Sequence, residues 1–247
     1  AIRRVIVPEH LVEDVRIALG KELGRVAIGN PVADGVRMGA LASKAQVEEV
    51  RERVGVLSKT ADVVYGSLEA IELVEADFDK GAFLSPILLL EQDPFKNSDV
   101  HEVEAFGPVS TIMPYKNLDE AVTLAQMGKG SLCCSISTFD DQIAREFVVE
   151  AATHHGRIMV LNRENAKTNT GHGSPLPYLV HGGPGRAGGG EEMGGMRGIK
   201  HYLQRCAIQG TPTTISAITG IYQPGAKVVE APKHPFRYHF EDIQPGM

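Results

Sequence analysis

Apolar and polar positions along this chain repeat in two periods, and the chain switches between them several times. Residues 3–7 read as a strand that Pro8 stops. Pro8 also suits the first position of a helix, and Leu11, Val12, Val15, Ala18 and Leu19 follow at helical spacing. Residues 43–58 predict a second helix, with Ser43 as N-cap and Gln46 three residues later in the capping-box arrangement. Short β-rich runs occupy residues 63–65, 87–90 and 109–115. Asn117 is placed to cap a helix carrying Leu118, Ala121, Val122 and Ala125. Residues 131–138 read as a strand, Asp140 opens a helix that runs to about His154, and residues 157–161 form a further strand. Strand and helix therefore alternate. That order predicts an α/β fold with crossover connections and a parallel sheet.

The pattern lapses after Leu161. Residues 162–198 are rich in Gly, Asn and Pro, and nine of the seventeen residues from 182 to 198 are glycine. A long irregular stretch inside a compact domain is a functional or interfacial segment rather than a plain connector. Strand and helix signals resume over 199–222, and 223–247 reads as a linker entering something new. The expected division is 1–210 as one domain and 211–247 as a C-terminal extension and linker. With no initiator Met, the chain is expected to be a piece whose true start lies upstream.

Composition removes several classes of function. The formal net charge is −6 and no five basic residues run together, which argues against nucleic acid as a partner. The most apolar window, residues 82–90, is nine residues long and holds Ser85 and Pro86. A spanning helix needs about 20 apolar residues, so no membrane segment is expected. The three cysteines, Cys133, Cys134 and Cys206, make no disulfide framework and point to a reducing, cytoplasmic setting. Without a CxxC pair, and with His154-His155 placed at a helix end, no metal site is expected. Cys133 and Cys134 lie mid-strand, where buried, inert thiols are the default.

The glycines at 183, 185 and 188 spell G-x-G-x-x-G, but a phosphate loop also needs a helix opening from it and an acid about 20 residues on. More glycines follow instead, and position 208 is Ile208. Turns and close backbone approach explain these glycines better. The stretch His101-Glu-Val-Glu-Ala-Phe-Gly-Pro-Val-Ser110 carries more chemistry. Glu104 is able to accept hydrogen bonds from a ribose diol, Phe106 to lie against a flat ring, and Gly107-Pro108 to set the turn that aims both. A plain helix-to-strand connection with a core Phe fits the same residues equally well.

Glu104-Ala-Phe-Gly-Pro-Val109 resembles the E-x-F-G-P-V signature of aldehyde dehydrogenases. Ile28-Gly-Asn-Pro31 with Met38-Gly-Ala-Leu41 resembles the family's V-G-x-P … G-P-L segment, with Ala40 in place of Pro. Phe83-Leu-Ser-Pro-Ile-Leu88 resembles its F-x-x-P-T-V/I-L strand entry. Residues 182–192 align without gaps to G-G-x-K-x-S-G-x-G-R-E, with Gly185, Ala187 and Glu191 replacing the usual Lys, Ser and Arg. The resemblance covers about residues 1–210, in the correct order throughout. Asn162-Arg-Glu-Asn165 and the tail from 223 resemble a bifunctional subgroup of phenylacetate degradation, in which the dehydrogenase is fused to a MaoC-type enoyl-CoA hydratase.

The resemblance implies the parallel-sheet catalytic domain of the aldehyde dehydrogenase fold and NAD or NADP as cofactor. It implies that Glu104 binds the nicotinamide ribose, that Phe106 packs by the nicotinamide ring, and that the glycine-rich loop lies near the active-site mouth. The nucleophilic Cys is implied about two residues before Ala1, so no catalytic residue is expected within the chain and the chain alone is expected to be inactive. Residues 162–181 would line the substrate funnel, with Asn162, His172 and Pro175 as candidates from position. The substrate would be a small aldehyde, CoA-linked if the subgroup holds, and the assembly a homo-oligomer. Two competing readings are a non-catalytic fragment serving assembly or cofactor-side binding, and a coenzyme A-binding hydratase module.

Overall fold

A computed structural model describes residues 2–169, 171, 182–189, 199–200 and 202–227. The chain divides into two compact units, Ala1–Gly128 and Lys129–Met247.

The first unit is built on a four-stranded sheet of order β1-β4-β3-β2, where β1 is Arg4–Pro8, β2 Asp62–Tyr65, β3 Ile87–Leu90 and β4 Val109–Tyr115. β4 runs parallel to both β1 (Val5 opposite Ile112) and β3 (Leu89 opposite Thr111). β2 departs from the all-parallel expectation by pairing antiparallel with β3 at the edge, where an antiparallel strand is commonly tolerated. All four residues of β3 are buried, because both faces of the sheet are covered. On one face, Val47, Val50, Val54 and Leu57 of helix α2 (Lys44–Leu57) pack with Ile87, Leu89, Val109 and Met113. On the other, Val12, Val15, Leu19 and Leu23 of α1 (Val12–Leu23) lie against Val7, Leu88, Leu90 and Ile112. The odd and even residues of β3 thus feed two different cores, as the two-residue period of a strand requires.

Local signals set the helix ends. Ser43 Oγ accepts from Gln46 N at 3.1 Å, as expected for the cap of α2. The reciprocal bond differs from a strict capping box, since Gln46 Oε1 takes the N–H of Ala42 (3.1 Å) rather than that of Ser43. Pro8 is followed by a 3-10 turn (Glu9–Leu11), so α1 begins later than Pro8 suggested. A four-residue helix α3 (Asp99–Glu102) precedes β4, and Asn117 caps α4 (Leu118–Gln126) through a bond from Glu120 N.

The second unit has a three-stranded, wholly parallel sheet of order β5-β6-β7: Ser131–Ser137, His155–Leu161 and Ala207–Gln209. Asp140 caps α5 (Asp141–Ala151), accepting from Gln142 N and Ile143 N. α5 ends three residues before His154, which closes a 3-10 turn. Ala144, Phe147, Val148 and Ala151 are its buried apolar face. Helix α6 (Pro212–Thr219) packs against it and stops at Gly220, which adopts φ 70° at the position where a left-handed residue ends a helix. The buried guanidinium of Arg145 donates to Ile218 O at 2.6 Å, so the last turn of α6 satisfies it. β5 is an edge strand, and Cys133 and Cys134 are half-exposed rather than buried as expected.

The loop from Gly182 to Gly188 presses on the amino ends of β5 and β6. A Cβ on Gly156 would lie 1.9 Å from Gly182 O, and one on Gly183 2.5 Å from Ser131 O. Glycine at these positions is what lets backbone meet backbone. Gly185–Ala187 forms a single 3-10 turn.

Candidate functional site

Residues 103–108 form the first candidate surface, within the first unit. The segment runs extended from α3 into β4, and exposure alternates along it: Glu104 out, Ala105 buried, Phe106 out. The two-residue period places Glu104 and Phe106 on one side of the backbone. Phe106 is 69% exposed, which overturns the reading of it as a core residue. An aromatic ring left bare in this way is a candidate contact surface. Its backbone is nonetheless pinned, since Gln46 Nε2 donates to Phe106 O at 2.6 Å. Gln46 therefore both helps cap α2 and holds the clamp segment. Gly107 continues the docking: a Cβ there would come within 2.8 Å of Val50 Cγ2 on α2. Two successive tight bonds, Gly107 N to Ala105 O (2.7 Å) and Val109 N to Gly107 O (2.9 Å), make the turn into β4.

The Glu104 side chain is 53% exposed, and its nearest cation is Arg3 Nη1 at 4.0 Å. Its carboxylate accepts no hydrogen bond among the described residues, so its oxygens remain open to a ligand's donors. Arg3 also donates to His101 O. Beside it, Arg4 donates to Leu124 O (2.6 Å) and Ala125 O (2.9 Å) at the end of α4, and Arg4 Nη1 lies 3.2 Å from His101 Nδ1. His101 Nε2 lies 2.7 Å from Pro94 O. A carbonyl only accepts and a guanidinium only donates, so His101 carries its proton on Nε2. Burial first, then the charges of Arg4 and Arg3, push its pKa down, while the Pro94 carbonyl opposes this. A neutral His101 is thus a structural brace under the clamp segment, and it is not placed as a base. The role of Gln46 and the Arg3–Arg4–His101 brace escaped the sequence reading, because each partner lies 60 or more residues away.

The second candidate surface lies in the second unit, at the carboxyl ends of β5 and β6. Parallel sheets bind ligands at this end of their strands. A cavity of about 450 Å³ opens there, lined by Ser137, Thr138, Phe139, Leu161, Asn162 and Arg163, with Ala166 and Asn169. Asn162, expected from position to line the substrate path, is on its wall, but its side chain is engaged. Its Nδ2 donates to Thr214 Oγ1 (3.3 Å) and its Oδ1 accepts from Glu164 N (2.9 Å). His172 and Pro175 lie outside the described residues. Arg163 and Phe139, which sequence reasoning did not single out, are the prominent groups: the guanidinium carbon sits 4.4 Å from the ring centroid. Their signal was legible only as the first turns after two parallel strands.

Burial pushes the Cys206 thiol up to about 11, opposed by the Ile158 backbone, so Cys206 is not set up as a nucleophile. Among the described residues no cluster of His, Cys, Asp or Glu fits a metal ion, and no helix is long and apolar enough to cross a membrane.

Residues 1–208 match the family model described as the aldehyde dehydrogenase family. The chain is 49% identical over 211 residues to "Protein MaoC" of Klebsiella aerogenes, covering 85% of this chain and 61% of that protein. It is 38% identical over 184 residues to the 3,4-dehydroadipyl-CoA semialdehyde dehydrogenase of Aromatoleum evansii, covering 74% and 36%. The chain thus spans less than two thirds of either relative. Among solved structures, it resembles an aldehyde dehydrogenase C mutant from Pseudomonas syringae in complex with NAD+ and octanal. That match has TM-score 0.64 and 24% identity, covering 81% of this chain and 37% of that one. A succinic semialdehyde dehydrogenase from Streptococcus pyogenes with NADP+ matches at TM-score 0.62 and 22% identity, covering 76% and 37%.

Proposed function

The chain belongs to the aldehyde dehydrogenase family, and from that premise we propose that it is the nicotinamide-side portion of an NAD(P)-dependent enzyme that oxidises an aldehyde to the acid. The observation that carries this reading is the pinned segment presenting an open carboxylate, Glu104, and a bare ring, Phe106, on one side of an extended backbone. These two residues fit the cofactor that the family uses: Glu104 would hold the ribose hydroxyls, and Phe106 would lie against the nicotinamide. Bound NAD(P)+ supplies the hydride acceptor. The chain's own contribution is to orient that ring and exclude water from one side of it. The nucleophilic thiol is assigned to the part of the protein outside these 247 residues, as the family register implies, and burial keeps the Cys206 thiol from that role.

The substrate is a semialdehyde carried on coenzyme A, a reading supported by the name of the Aromatoleum evansii relative. Asn162, His172 and Pro175 are its proposed lining. Residues 1–210 are proposed as the dehydrogenase portion and 211–247 as an extension toward a hydratase-like domain. Cys133, Cys134 and Cys206, none of them in a disulfide among the described residues, support a reducing, cytoplasmic location. Exposed Ile221 and Tyr222 support burial in a homo-oligomer.

The test is Glu104→Ala in the full-length protein. A lost hydrogen bond to a charged group is worth about 1.5–3 kcal/mol, so cofactor KM should rise or kcat fall about ten- to a hundredfold, with folding intact. Unchanged steady-state kinetics would refute the clamp. Turnover by the purified 247-residue chain alone would refute the placement of the nucleophile elsewhere.

A further inference from the structure

The cavity at the carboxyl ends of β5 and β6 has a single cation among its lining residues. Arg163 stands two residues beyond β6 and Phe139 two residues beyond β5, and the pair meets with the guanidinium carbon 4.4 Å from the ring centroid. The ring holds the guanidinium by cation–π attraction and so limits its motion. Arg163 has no carboxylate partner among the described residues. The contrast with its neighbour is informative: Glu164 is paired with Lys227 Nζ at 2.7 Å, so that acid is turned to another cation.

Three other polar side chains of the cavity, Asn169, Asn162 and Thr138, are engaged in holding its wall, and the hydroxyl of Ser137 is a further polar group there. Asn169 Nδ2 donates to Asn165 O (2.9 Å) and Ala166 O (3.0 Å), and its Oδ1 accepts from Gly171 N (2.9 Å). Asn162 is engaged with Thr214 and Glu164, and Thr138 Oγ1 takes the N–H of Asp140 (3.1 Å). The guanidinium of Arg163 is the one charged group in this lining, and its planar fork matches phosphate oxygens two at a time. Beside it, Phe139, Leu161 and Ala166 supply apolar wall. About 450 Å³ falls within the size of small-ligand sites but holds only part of a large carrier.

We propose that Arg163, held on Phe139, binds a phosphate of the nucleotide-bearing carrier on which the aldehyde substrate is delivered. The proposal rests on the dehydrogenase reading above and extends it to a named specificity contact. It requires no chemistry at Arg163 and acts on substrate binding.

The experiment uses the full-length enzyme as wild type, Arg163→Gln, Arg163→Lys and Phe139→Leu. Each is assayed with a six-carbon CoA-thioester semialdehyde, with hexanal, and for the KM of the nicotinamide cofactor. Arg163→Gln should lower the ratio of kcat/KM for the CoA thioester over that for hexanal about tenfold or more, through KM. Arg163→Lys keeps the charge but not the fork, and should recover part of that loss. Phe139→Leu should fall between wild type and Arg163→Gln. Adenosine 3′,5′-bisphosphate should inhibit the wild type in competition with the CoA thioester and inhibit Arg163→Gln more weakly. An unchanged ratio overturns the platform while leaving the dehydrogenase reading intact. A change confined to cofactor KM also overturns it, because the phosphate bound would then be the cofactor's. If the wild type oxidises neither aldehyde, the dehydrogenase reading fails and the proposal falls with it.

Discussion

Arg4 and Gly128 should be energetically coupled, because the guanidinium occupies the space that a side chain at 128 would need. Arg4 donates to Leu124 O at 2.6 Å and Ala125 O at 2.9 Å, satisfying carbonyls that the end of α4 leaves open. Hydrogen bonds from a charged donor contribute about 1.5–3 kcal/mol, and a cation at a helix C-terminus about 0.3–1 kcal/mol. Since the site is half-buried, Arg4→Ala should cost about 3 kcal/mol in all. A Cβ on residue 128 would lie 2.2 Å from Arg4 Nη2, well inside an ordinary contact of 3.4 Å. The guanidinium would have to withdraw by about 1 Å, and both bonds would lengthen past useful range. Gly128→Ala should therefore cost about 2 kcal/mol. In the Arg4→Ala background the obstacle is gone. Gly128 is not among the positive-φ glycines, so alanine there should be neutral or stabilising by up to about 1 kcal/mol. The expected coupling is about 2 kcal/mol, read from a double-mutant cycle. Native-state hydrogen exchange of the α4 amides is the suitable assay, since a chain of two units need not unfold in one step. Costs that simply add, within about 0.5 kcal/mol, would refute the shared-space reasoning.

Further outcomes follow from the second unit and from α2. Asp140→Ala removes the cap that accepts from Gln142 N and Ile143 N, and should lower the stability of α5 by about 1 kcal/mol in the same exchange measurement. Gly156→Ala would drive a Cβ to 1.9 Å from Gly182 O, a backbone atom that cannot swing aside. It should cost more than about 2 kcal/mol and speed proteolytic nicking at 182–189. Gly55→Ala in α2 meets nothing within 4 Å and should instead stabilise by up to about 1 kcal/mol; equal effects at the two glycines would contradict the contact argument. Cys206 binds its proton more tightly folded than unfolded, with a folded value of about 11. Its contribution to stability is therefore fully present below the unfolded thiol's pKa, about 8.5, and declines as pH rises through about 11. Alkylation rates across pH 7–10 should show Cys206 lagging a free thiol throughout, and parity at pH 9 would contradict this.

Much of the local structure was legible before any coordinates. Ser43, Asn117 and Asp140 each cap the helix they were expected to cap, because a cap is a bond between residues two or three apart. Strand β3 and strand β4 fall on their expected residues, since apolar runs bounded by turn formers are local signals too. Glu104 and Phe106 were named from a six-residue motif. The close backbone approach expected of the glycine-rich loop is seen at Gly156 and Gly183. The misjudged details were those set by neighbours in space. Cys133 and Cys134 read as buried thiols, and only the placing of β5 at a sheet edge leaves them half-exposed. The antiparallel pairing of β2 could not be read from four residues whose partner lies beyond a loop.

The sequence by itself determined which segments become helix or strand, which residues cap α2, α4 and α5, and which short segment carries the carboxylate and the ring. Those properties depend on residues within one or two turns of each other. The tertiary structure decided the rest: that Gln46 on a distant helix pins Phe106, that Arg4 closes α4 across more than a hundred residues, and that Arg163 finds Phe139 at the ends of two parallel strands. Such contacts join positions far apart in the chain. Their identity follows from how the sheet and helices pack, and no local pattern of apolar and polar residues encodes it.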